Sequence, residues 1–227
     1  MLPVRQILSS KQLSFLNMHE ASIVIARPQH SEKLVLVFHG VGSTARDLAP
    51  LGQELARSCP AAAVVSVQAP NPSQLGRGQE WFSVIGVTED NRLGRIAQVM
   101  PQFVQTVHHW QDVMGIDAAN TVLVGFSQGA IMSLEGTQTS KPVACKVIAL
   151  AGRFAQPVRH APAATQFHLI HGEQDSVVLP QWSVQAHQQL KALGAAVTMD
   201  LLPGLGHGID ERTLELVIRY LSSSKRP

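Results

Sequence analysis

The chain has 227 residues, 45% of them hydrophobic and only 15% charged, so it can bury a sizeable core and is neither disordered nor collagen-like. At this length roughly 70% of the unfolded surface can be buried, and no disulfide or metal is needed to hold the fold. The net charge is +2, and no block of Lys or Arg exceeds the pair at 225–226, so nothing asks for nucleic acid. Cys59 and Cys145 stand too far apart for a metal or redox spacing and read as small buried hydrophobes.

The longest apolar runs, such as 34–38 and 60–65, fall far short of the ~18 residues that cross a bilayer. Ser9, Ser10, Lys11 and Gln12 interrupt the N-terminal region before any leader-like apolar segment develops. The expectation is a cytoplasmic protein.

In chain order, short β-branched or Leu-rich runs predict strands over 34–39, 63–67, 121–125, 146–151, 166–171 and 197–202. Between them, apolar residues at helical intervals predict helices over 47–58, 92–114, 128–138, 180–193 and 208–221. This alternation implies an α/β fold: a mostly parallel sheet with helices on both faces. The helix from Arg92 carries Leu93, Ile96, Val99, Met100, Phe103, Val104 and Val107 as one stripe, with cap chemistry at Thr88–Asn91. Pro101 lies within it and predicts a kink or a break near Met100.

Residues 68–87 lack periodicity, contain Pro70, Pro72, Gly76, Gly78 and Gly86, and read as a long irregular connection of the functional kind. With no repeat and no linker, one domain is expected over 1–227, its core about 20–221 and 222–227 a frayed tail.

After the strand at 121–125 comes Gly125-Phe126-Ser127-Gln128-Gly129, followed at once by a helical pattern. A Gly-x-Ser-x-Gly at a strand-to-helix junction makes a sharp turn that lifts the serine hydroxyl to the sheet edge, beside the free amides of a helix start. A glycine-rich turn with the serine as a simple cap is the plainer alternative. A serine hydroxyl is a weak nucleophile at neutral pH and needs a base and a group to orient that base. Asp175 follows the strand at 166–171, with Glu173 as its substitute, and His207 lies between the last strand and the last helix. Both therefore fall at carboxyl ends of strands, where open α/β sheets place ligands. The order Ser127, Asp175, His207 is that of an α/β-hydrolase.

Attack on an ester carbonyl creates an oxyanion that needs two preorganised donors. The amide of Gln128, just after the nucleophile, is one candidate. The amide of Val41, in the glycine-rich Phe38-His39-Gly40-Val41-Gly42-Ser43 stretch after the first strand, is the other, with His39 holding that loop.

The strings at 38–42 (FHGVG), 81–84 (WFSV), 88–92 (TEDNR), 125–132 (GFSQGAIM), 171–175 (HGEQD) and 206–207 (GH) resemble the phospholipase/carboxylesterase family of α/β-hydrolases. The likeness runs over about 34–221. It implies hydrolysis of carboxylic esters through an acyl-enzyme, with Ser127, Asp175 and His207 as triad and the Val41 and Gln128 amides as oxyanion donors. It also implies thioesterase or lysophospholipase activity as an alternative. Ser43 departs from the Asp that many relatives carry in the oxyanion loop.

Family analogy gives Trp81 and Phe82 a place in the substrate pocket, against an equal reading as buried anchors of their loop. Leu179, Trp182 and Ile209 flank Asp175 and His207 in sequence and are candidates for an apolar wall. No inserted cap is evident between Val147 and Gln166, so the site is expected to be open, with minimal cap, and to take esters of small or medium acyl chains. No metal or cofactor is required. The expected partner is a small-molecule ester and the expected assembly a monomer or homodimer, with no membrane span. A non-catalytic binding protein of the same fold is the rival from another class.

Overall fold

The computed structural model describes residues 18–223. A seven-stranded sheet is built from β1 (Ile23–Ala26), β2 (Lys33–Phe38), β3 (Ala62–Val67), β6 (Thr121–Phe126), β7 (Lys146–Leu150), β8 (Gln166–Gly172) and β9 (Ala196–Leu202). Its order is β1-β3-β2-β6-β7-β8-β9, parallel throughout except for β1, which pairs antiparallel with β3 at one edge. The inner strands are continuous apolar runs because both of their faces are covered.

Alternation along each strand separates two cores. Leu34, Leu36, Phe38, Leu123, Val147, Phe167 and Leu169 face α2 (Glu89–Met114), α3 (Gln128–Gly136) and α4 (Gln181–Ala192). Val35, Val37, Val122, Val124, Ile148 and Ile170 face α1 (Ala45–Ser58) and α5 (Glu211–Ser222), through Leu51, Leu55, Leu216, Val217 and Leu221. Three of the helices begin with a capping box, at Thr44, Thr88 and Asp210, which satisfies amides that a helix start leaves free.

The α/β alternation is borne out, and the observed bounds differ from the expected ones by a few residues. Two features differ. Of the kink or break predicted near Met100, the break is absent: α2 runs unbroken through Pro101 for 26 residues. The proline removes one intrahelical bond, but Ile96, Met100, Phe103, Val107 and Trp110 are buried on both sides of it. Their burial, about 1.5–3 kcal/mol per large side chain, outweighs a loss of about 3 kcal/mol. Strand β1 is the second difference, since four residues carry too little periodicity to be read and only pairing with β3 makes them a strand. The irregular connection at 68–87 contains a two-residue ladder, β4 (Asn71–Pro72) with β5 (Gln79–Glu80). Cys145 is buried, its thiol donating to the Thr121 carbonyl at 3.2 Å, and Cys59 is half-buried; neither is in a disulfide. Of the expected tail, 224–227 lies outside the described residues. No helix of the described residues is long and apolar enough to cross a membrane.

Candidate active site

Ser127 sits between β6 and α3 with φ 53° and ψ −116°, in the region of positive φ that a side chain rarely occupies. Its surroundings hold it there. The Ser127 N–H donates to the Leu150 carbonyl at 2.9 Å, and the Ser127 carbonyl accepts from the Ile131 N–H at 3.0 Å. A Cβ at Gly125 would lie 2.4 Å from the Gly129 carbonyl oxygen, and one at Gly129 would lie 2.2 Å from that of Phe38. The two glycines are thus what allows the turn to close so tightly against β2.

The Ser127 Oγ is 3.0 Å from His207 Nε2, and His207 Nδ1 is 2.7 Å from Asp175 Oδ2. With the proton on Nδ1, the imidazole donates to the carboxylate and leaves Nε2 free to accept from the serine hydroxyl. Asp175 is 3% exposed. Its Oδ1 accepts from the N–H groups of Val177 and Val178 at 2.8 and 2.9 Å. Burial pushes the Asp175 carboxyl up, but the hydrogen bonds from His207, Val178 and Val177 outweigh it and hold the group below the usual carboxylate range. Glu173, the substitute, is exposed.

The loop that carries His207 is pressed onto the end of β8. A Cβ at Gly172 would lie 2.3 Å from the Leu205 carbonyl oxygen, and the Gln174 N–H donates to that carbonyl at 2.9 Å. The Phe126 ring packs against His207, centroid to centroid 5.1 Å.

His171 was not singled out from sequence. It is 1% exposed, and its Nε2 lies 2.7 Å from the Val178 carbonyl and 3.1 Å from Asp175 Oδ2. Its Nδ1 is 2.6 Å from Ser183 Oγ on α4. Burial lowers its pKa despite the opposing pull of Val178 and Asp175, and its Nε2–H faces both oxygens. Its place at the end of β8, four residues before Asp175, was the available signal.

The glycine-rich loop lies against the serine: a Cβ at Gly40 would be 3.1 Å from Ser127 Cβ. Among the described residues, the amides of Val41 and Gln128 have no protein acceptor. His39 accepts from the Ala69 N–H at Nε2, 3.0 Å, and donates from Nδ1 to the Gly40 carbonyl, 2.7 Å, which gives it the loop-holding place expected.

Trp81 is 1% exposed and packs on Phe38 and Phe103 at 6.2 and 5.1 Å between centroids, and Phe82 is also buried. This is the arrangement of a loop anchor rather than an accessible wall. Leu179 is exposed beside Val178, and Ile209 is half-buried against the core that faces α1 and α5. The Trp182 ring lies under the Arg153 guanidinium, 3.6 Å from its centroid, and helps to line a cleft of about 140 Å³ with Glu89, Arg153 and Phe154. A larger cleft of about 500 Å³ lies between α2 and the far end of α3 and contains none of the residues around Ser127.

Residues 19–225 match the phospholipase/carboxylesterase family. The chain is 41% identical over 203 residues to the esterase YpfH of Escherichia coli (strain K12), covering 89% of this chain and 88% of that protein. It is 31% identical over 133 residues to acyl-protein thioesterase 1 homolog 1 of Dictyostelium discoideum, covering 52% and 54% of the two. Among solved structures, the esterase PE8 superimposes with a TM-score of 0.80 at 30% identity, over 88% of this chain and 95% of that one. A carboxylesterase from Mesorhizobium loti shares the fold at a TM-score of 0.74 and 18% identity, over 89% and 93%.

Proposed function

The chain belongs to the phospholipase/carboxylesterase family, and from that membership and the geometry around Ser127 we propose that it is a serine esterase acting through a Ser127–His207–Asp175 triad. The observation that carries this reading is the unbroken run of hydrogen bonds from hydroxyl to imidazole to carboxylate, 3.0 and 2.7 Å.

In the first half-reaction Ser127 Oγ attacks the ester carbonyl carbon while its proton passes to His207 Nε2. The carbonyl oxygen becomes an oxyanion held by the Val41 and Gln128 amides, whose N–H groups have no acceptor to leave among the described residues. Collapse of this intermediate breaks the bond to the alcohol, which departs with the proton from His207, and an acyl-serine remains. Water then repeats the sequence, giving up a proton to His207 and releasing the acid. Asp175 stays ionised throughout and stabilises the imidazolium as it forms. Small or medium acyl esters are the substrates this reading favours. Likeness to an acyl-protein thioesterase supports thioester cleavage at the same serine as a second reading.

A panel of p-nitrophenyl esters and acyl-CoA thioesters of increasing chain length, run on the wild type and Ser127→Ala, tests both readings. Turnover of short and medium oxygen esters is expected, with a loss of about 10³-fold or more in the variant. Covalent labelling of Ser127 by a fluorophosphonate is expected in the wild type. A chain that neither turns over any ester nor takes the label is a binding protein of this fold, and the proposal fails.

A further inference from the structure

The two candidate oxyanion donors lie on different elements, Val41 after β2 and Gln128 at the start of α3, yet both are tied to one short segment, 79–82. At one end the Gly42 N–H donates to the Gln79 carbonyl at 3.0 Å, and the Gln79 N–H donates to the Ser43 carbonyl at 2.8 Å. This two-bond bridge grips the residues immediately after Val41. It is so close that a Cβ on the neighbouring Gly78 would lie 2.2 Å from the Gly42 carbonyl oxygen.

At the other end the carboxamide of Gln128 spans the backbone of the same segment. Its Oε1 accepts from the Trp81 N–H and its Nε2 donates to the Phe82 carbonyl, both at 2.7 Å, and the residue is 2% exposed. Between the two ends the segment is anchored by the Trp81 indole against Phe38 and Phe103, and the Trp81 carbonyl accepts from Asn71 Nδ2 at 2.9 Å.

We propose that segment 79–82, locked by the side chain of Gln128, is a brace that fixes the Val41 and Gln128 amides relative to each other, which makes Gln128 a positioning residue through its side chain as well as a donor through its backbone. The inference rests on the oxyanion reading given above and adds what sets its geometry. Oxyanion stabilisation requires donors about 2.7–3.1 Å from the developing charge, so a small change in their separation weakens one of them. A single-bond tether would let the segment pivot, whereas two opposed bonds from one planar amide fix both its distance and its rotation.

Gln128→Met keeps the backbone amide and nearly the volume of the side chain while removing both bonds. The measurements are kcat and KM for p-nitrophenyl butyrate and the affinity of an aryl trifluoromethyl ketone. Ser127 Oγ adds to the carbonyl carbon of that ketone, its proton passing to His207, and the ketone oxygen becomes a stable oxyanion. The expected result is a fall in kcat of about 10- to 100-fold, less than the 10²–10³ that follows outright loss of a donor. KM stays within about threefold, and ketone affinity weakens by the same factor as kcat/KM. A purely structural role would lower the melting temperature and leave the kinetics and ketone affinity of the folded enzyme unchanged, and that outcome overturns the proposal. A loss confined to KM overturns it as well, because the segment would then be contacting substrate.

Should Gln128→Met fail to fold, Gln128→Glu reads the same quantities. It keeps the acceptor for Trp81 and loses the donor to Phe82, and the same split between kcat and KM is expected. Ser127→Ala and fluorophosphonate labelling, run beside these variants, separate the two levels of inference. Full turnover by Ser127→Ala sinks the serine reading, whereas an inert Ser127→Ala with unchanged Gln128 variants sinks only the brace.

Discussion

Asp175 is held in place by four donors: two backbone amides and two imidazoles. The His171 ring does more than touch the carboxylate, since it also joins the Val178 carbonyl to Ser183 on α4 and so fixes the loop on which Asp175 turns. Replacing it with an apolar side chain leaves the Val178 carbonyl without its imidazole donor and takes the ring away from Ser183 Oγ, which keeps only its bond to the Gly152 carbonyl at 3.0 Å. We expect His171→Leu to destabilise the fold by about 1–3 kcal/mol, read from urea unfolding. It should also lower kcat more than it raises KM, because Asp175 loses a constraint on its orientation. Ser127, Asp175 and His207 were legible because each occupies a strand-end loop in the order this chemistry uses. His171 lies in the same string as Asp175, but its importance was hidden: its partner Ser183 belongs to a helix that only the fold lays across the end of β8.

Among the elements, the β6–α3 turn is tightly constrained. Gly129 faces the Phe38 carbonyl on β2 with no room for a methyl group, and that neighbour is backbone, which cannot rotate away. Gly129→Ala is therefore expected to cost at least the 1–3 kcal/mol typical of overpacking and to displace Ser127 from His207. A melting temperature and fluorophosphonate labelling rate equal to those of the wild type would contradict this. The glycines were readable as a sharp turn, but which backbone they press against was not. The same limit applies to Pro101. Local chemistry argued for a kink or a break in α2, and the buried stripe on either side of the proline, a tertiary contact, kept the helix continuous.

Across the whole molecule, burial lowers the pKa of five of the ten histidines. Burial, with a smaller contribution from a neighbouring charge, draws His19 and His168 down to about 4, and burial also lowers His39, His109 and His171. Unfolded histidines titrate near 6.5. Between about pH 6.5 and 4 the unfolded chain therefore binds more protons than the folded one, and the free energy of unfolding falls as pH falls. Above about 6.5 these groups are neutral in both states and add no pH dependence. The Asp175 carboxyl, held low, contributes stability above its unfolded value near 4 and loses it only as pH falls through its lower folded value. Denaturant midpoints at pH 7.5, 6 and 5 should decrease in that order, and His168→Gln should reduce the decrease. Equal midpoints at all three would refute the account.

What the sequence determined by itself was periodicity and order: apolar runs long enough for buried strands, a helix stripe, a serine in a glycine turn, and an acid and a histidine after later strands. These are local or ordinal properties, carried by side chains whose preference does not depend on distant partners. The tertiary structure alone decided convergence. Because β2, β6, β8 and β9 are parallel, their following loops emerge at one edge, and this brings Gly40, Ser127, Asp175 and His207 together. It also turned Trp81 inward and set the Gln128 side chain on its backbone, because close packing between separate segments leaves no mark in the residues of either one.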